Sequence, residues 1–91
     1  MKSEDAFSKL RVQLEAIKEW PMLYMFKFII PYDVKRYAQV TGLFGDDAEV
    51  YHKNSKNGKF TSITAKEVMI SADDVMLVYK RASQIPGIIA L

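Results

Sequence analysis

Between Pro21 and Pro31 the chain carries YMFKFII over residues 24–30, a run in which Lys27 is the one polar residue. Aromatic and β-branched residues at this density favour an extended strand, and the two prolines bound it. A strand apolar on both faces belongs in the interior of a sheet, with neighbours on either side. The chain has 91 residues, a length that hides roughly 60–65% of its unfolded surface and builds one core. The flanking strands must therefore come from the same single domain, residues 1–91.

Two further strands follow from the turn signal Asn57-Gly58, which separates AEVYHKNS from FTSITAKEVMI and marks a two-residue hairpin. Such a turn pairs Lys56 with Lys59, sets Val50 opposite Ala65 and His52 opposite Ile63, and puts Glu49 across from Lys66. Strict alternation carried past Lys66 would aim Glu67 at the core side and Val68 and Ile70 away from it, so a bulge or an early end to pairing is expected there. The closing GIIAL reads as a short fourth strand.

Three helices fill the gaps. Ser3 can cap a helix over residues 4–19, with Glu4 and Asp5 at its positive end and Phe7, Leu10, Leu14 and Ile17 on one stripe. Asp33 can cap a second, with Val34, Tyr37, Ala38 and Thr41 on one face, ending near Gly42 and Gly45. Ser71, followed by Asp73 and Asp74, caps a third whose stripe is Val75, Val78, Tyr79 and Ala82, closed by Pro86-Gly87. The order is a helix and then β-α-β-β-α-β. It predicts an α+β, ferredoxin-like two-layer sandwich with sheet order 4-1-3-2, residues 20–91 forming the core and residues 1–19 an N-terminal helical extension.

Apolar residues make up 49% and charged residues 26%, which argues against a disordered, collagenous or disulfide-stapled chain. No cysteine is present and His52 is the single histidine. Thiol chemistry, thiolate metal sites and paired-histidine zinc sites are thereby excluded, and neither a metal nor a cofactor is expected. Glycine-rich phosphate loops and nucleophile elbows are missing too. The acidic pairs Asp46-Asp47 and Asp73-Asp74 read as a loop and a helix first turn rather than as acid-base machinery. Catalytic residues are therefore not assigned. A net charge of +2 is too slight to demand nucleic acid or an anionic membrane, and no apolar run is long enough to span a bilayer or to act as a secretion signal. A cytoplasmic protein is expected.

WPxxYMFKFIIP, SKNGKFTS and IPGIIAL, in that order from Trp20 onward, resemble the YbeD-like family of small bacterial proteins, which carry a domain of unknown function. The resemblance implies a ferredoxin-like fold similar to ACT-type regulatory domains, and no established reaction. The expected function is accordingly that of a non-enzymatic regulatory or protein-interaction module. An ACT-like small-molecule sensor is the first alternative. An RNA-binding domain is the second, disfavoured because Phe60 is followed by Ser62 where a second stacking aromatic would be needed.

Two surfaces are candidates for contact. His52, Lys53, Lys56 and Lys59 form a basic hairpin free of acids, suited to an acidic protein partner of unknown identity or to plain solubility. Met25, Lys27 and Ile29 alternate on the sheet face opposite the helices, and Tyr51 and Phe60 join them to make an apolar patch of a few hundred Å². That patch calls for a cover. The stripe of Phe7, Leu10, Leu14 and Ile17 can supply it, within one chain or exchanged in a homodimer.

Overall fold

The structure is a computed structural model that describes residues 3–91, with side chains from Phe7 onward. The chain runs through α1 (Ser3–Glu15), β1 (Met22–Pro31), α2 (Val34–Thr41), β2 (Glu49–Asn54), β3 (Phe60–Met69), α3 (Ala72–Ala82) and β4 (Ile89–Ala90). The strands pair antiparallel in the order β2-β3-β1-β4. Seen from the opposite edge the same sheet runs β4-β1-β3-β2. The apolar β1 lies inside it, and the whole is a small α+β domain compatible with a ferredoxin-like arrangement.

β1 is longer than its apolar run. It begins at Met22 and ends on Pro31, paired with Phe60; a proline is tolerated at a strand terminus, where its missing N–H interrupts no ladder. The β1–β3 register continues without a break from Pro31↔Phe60 through Tyr24↔Glu67 to Met22↔Met69. No bulge forms near Lys66; the β2–β3 ladder ends there, at Glu49↔Lys66, while pairing with β1 runs on to Met69. Glu67 does turn toward the helix side, and its carboxylate accepts a hydrogen bond from the Gly45 N–H at 2.8 Å. A loop donor supplied by the fold thus satisfies the charge that made alternation look unsustainable, and Val68 and Ile70 are left in solvent.

The hairpin keeps the expected register, with Val50↔Ala65, His52↔Ile63 and Glu49↔Lys66, but its turn is of another kind. Among the described residues only glycines have positive φ, Gly58 at 71° being one, so Asn57 does not adopt the left-handed conformation that a type I′ turn needs. Ser55 opens a four-residue turn closed by the Gly58 N–H donating to the Ser55 carbonyl at 2.9 Å. Serine first and glycine fourth suit a type I turn. The Ser55 hydroxyl accepts from the Phe60 N–H, and Asn57 Oδ1 accepts from the Lys59 N–H.

The core lies between the sheet and the helices. Phe26, Phe28, Ile30, Ile63, Ala65 and Met69 meet Val40 of α2, Val75, Met76, Val78 and Ala82 of α3, and Leu14 of α1. Phe26 sits at the centre of an aromatic group, its ring centroid 4.7 Å from Tyr24, 5.3 Å from Phe44 and 5.4 Å from Tyr79. Ser71 caps α3 by accepting from the Asp74 N–H, and Asp74 reaches back to the Ile70 N–H. α2 is capped as expected by Asp33, but it is rotated from the expected face. Val34 and Ala38 are exposed, whereas Tyr37, Val40, Thr41 and, beyond the helix, Phe44 turn inward. The spacing of three, one and three follows the helical period from the buried Val40.

α1 corrects a larger expectation. It stops at Glu15, four residues early, with the Ile17 N–H tightened onto the Leu14 carbonyl, and an extended link then leads to Pro21, whose preceding residue disfavours helix. Ser3 already lies within the helix, and its side chain and those of Glu4 and Asp5 fall outside the described residues. Phe7, Leu10, Leu14 and Ile17 do form the inward stripe, yet they do not cover the open sheet face. α1 lies beside α3, where Arg11 meets Asp73 at 2.6 Å, and Leu14 enters the core. The shortest dimension of the molecule is 19 Å, the depth of one sheet and one helix layer and too little for a third. Helical periodicity shows that α1 has a face to bury; it does not say against what, and the flank of α3 at Met76 won.

Candidate functional site

The open face of the sheet is built by alternation. Because Phe26, Phe28 and Ile30 point at the helices, Leu23, Met25, Lys27 and Ile29 point away. Register then places Val68 beside Leu23, Lys66 beside Met25, Thr64 beside Lys27 and Ser62 beside Ile29 on β3. β2 adds Glu49, Tyr51 and Lys53, and β4 sets Ile89 against Ile29. Leu23 is 60% exposed, Met25 54% and Val68 60%, so none of the described residues covers them. Tyr51, Phe60 and Ile89 are exposed as well. The five residues singled out from sequence, Met25, Lys27, Ile29, Tyr51 and Phe60, do share this face. Leu23, Val68, Ile70 and Ile89 extend the patch beyond those five; unbroken alternation points to Val68 and Ile70, and the bulge expected near Lys66 hides them.

The basic hairpin is divided: Lys53 and Lys56 line one groove with Ile29 and Phe60, and His52 stands apart from them. His52 and Lys53 are consecutive residues of β2 and so face opposite sides of the sheet. Lys56 and Lys59 are exposed in the turn, and the Lys59 carbonyl accepts from the Tyr32 N–H at 2.8 Å. His52 joins a different feature: a shallow cleft of about 170 Å³ where β1 passes into α2, lined by Tyr32, Asp33, Val34, Tyr37, His52, Asn54 and Thr61. Its Nδ1 lies 3.4 Å from the Tyr37 hydroxyl, and the two rings meet edge to face at 5.2 Å. Asp33 is engaged by Arg36 at 2.9 Å, and Asn54 accepts from the buried Thr61 hydroxyl at 2.8 Å.

Both acidic pairs are placed as local chemistry dictates. Asp73 holds Arg11, and this hydrogen bond raises the guanidinium's pKa; Asp74 closes the α3 cap. Asp46 and Asp47 are exposed in the loop before β2. Among the described residues no group of three metal-ligating side chains converges, and no helix is long and apolar enough to cross a membrane. Among the described residues the strongly perturbed group is Tyr79, whose phenol is pushed up by burial and further by its hydrogen bond with Tyr24 at 3.4 Å. It packs in the aromatic core and opens onto no cleft described above. Neither a family model, nor a curated protein, nor a solved structure matches the chain.

Proposed function

We propose that the protein is a non-enzymatic interaction module, a ferredoxin-like domain of YbeD-like type that presents the open face of its sheet to a protein partner in the cytoplasm. The supporting observation is the apolar surface carried on the two central strands: Leu23, Met25 and Val68 are each more than half exposed. A patch of such side chains on a small domain marks a contact surface more often than chance exposure. Photo-crosslinking in cells tests this. A photoreactive residue at Met25 or Val68 should form a discrete protein adduct, while the same group at Val12, exposed on α1, should not. Equal labelling at all three positions would defeat the proposal.

A second reading, a small-molecule sensor of ACT type, is favoured by the cleft at the β1–α2 junction. Amino acids that raise the melting temperature of the intact chain but not that of His52→Ala would support it.

A further inference from the structure

The open face has a charge pattern as well as an apolar one. Lys27 stands near the middle of β1, with Leu23 and Met25 toward one end and Ile29, paired with Ile89, toward the other. Lys66 neighbours Met25 across the β1–β3 ladder, and Lys53 lies farther out on β2. Glu49 lies opposite Lys66 on this face and accepts from the Tyr51 hydroxyl, and Asp47 and Glu67 border the face at its Leu23–Val68 end. Among the described residues no carboxylate is within ion-pair distance of Lys27, Lys53 or Lys66. The face is thus an apolar surface with unneutralised cations in its middle.

That pattern discriminates between occupants. A second copy stacked face to face about a twofold axis would bring the central lysines of each chain against those of the other, since such an interface is self-complementary, and like charges would be desolvated together. Single-stranded RNA would find cations but poor stacking, because β1 offers no aromatic on this face and Tyr51 and Phe60 stand far apart on β2 and at the end of β3. A protein segment carrying acids between apolar ends satisfies both features. Leu23 and Ile29 are six residues apart on β1, about 20 Å, which a helix covers in about 13 residues.

Resting on the reading of this face as a docking surface, we infer that its occupant is an amphipathic helix of a partner protein, apolar at positions about 13 residues apart and acidic between them. The test is selection of a displayed library of 18-residue helices, randomised on one face, on the full-length protein. Enriched helices should carry Asp or Glu at the central positions and apolar residues toward the ends. They should bind at least about tenfold more weakly to Lys27→Glu, with Lys66→Glu as a second variant and circular dichroism as the folding control. Helices that need Met25, shown by loss of binding to Met25→Asp, yet carry no acidic bias overturn the charge inference and leave the docking surface standing. Enrichment indifferent to Met25→Asp, or no enrichment, overturns both. A dimer in sedimentation that Met25→Asp dissociates, or salt-dependent binding of polyuridylate lost in Lys27→Glu, would assign the face to a second copy or to RNA and overturn the inference.

Discussion

Gly58 holds φ at 71°, and nothing lies within 4 Å of where a Cβ would stand, so a substitution there meets backbone strain without a clash. A β-branched residue in that conformation costs about 1–2 kcal/mol, whereas truncating the exposed Lys56 stays within about 0.5 kcal/mol. Urea unfolding of Gly58→Val and Lys56→Ala should show this order; the reverse would place the turn elsewhere. Tyr79 supplies a pH dependence. Its phenol is raised in the folded state, first by burial and then by Tyr24, while an unfolded tyrosine ionises near about 10. The stability it contributes is therefore present below about pH 10 and lost as pH climbs from there through the folded value. Thermal melts from pH 9 to 11 should fall less steeply for Tyr79→Phe than for the natural chain. Caps such as Ser71 and Asp33 were readable because their bonds join residues two or three apart. Glu67 was not: its donor, Gly45, is 22 positions away in the chain, and no local pattern announces it.

At the scale of elements, the interior place of β1 was legible because the strand is apolar on both faces, and the hairpin register because it rests on period-two alternation, which a one-residue slip would invert. Helix placement was not, because an amphipathic stripe carries no address. α1 shows the consequence: its four stripe residues were identified and its seat was not. Removing residues 1–16 should strip α3 of its neighbour at Met76 and take Leu14 out of the core. The truncated chain should unfold at lower urea and bind more hydrophobic dye, while amide exchange of β1 paired to β3 is protected to the same relative rank. If instead the truncation leaves stability and dye binding unchanged, α1 is not seated on α3.

For the whole molecule, the division of β1 into two faces gives a sharp contrast between neighbours. Phe28 is fully buried and Met25 is more than half exposed. Phe28→Ala should cost about 3–5 kcal/mol, whereas Met25→Asp should leave the unfolding midpoint nearly where it was, because little burial is lost. Comparable losses at both would mean that the open face is covered in the isolated protein. The candidate surface was half visible in sequence. Exposure on one side of an over-apolar strand can be read from alternation, but the extent of the patch depends on Val68, which the β1–β3 ladder brings beside Leu23 from 45 positions along the chain, and on there being no third layer among the described residues.

The position of β1 also has a consequence during synthesis. The strand emerges early, but its principal partner is β3, and Phe26 meets Ala65 only after about 40 more residues have been made. At 5–20 residues per second that is a wait of roughly 2–8 s. Through that interval the most apolar segment of the chain has no sheet to enter. A chain stopped before β3 should therefore stay unfolded and bind more hydrophobic dye than the whole chain, because β1 is left without its principal partner.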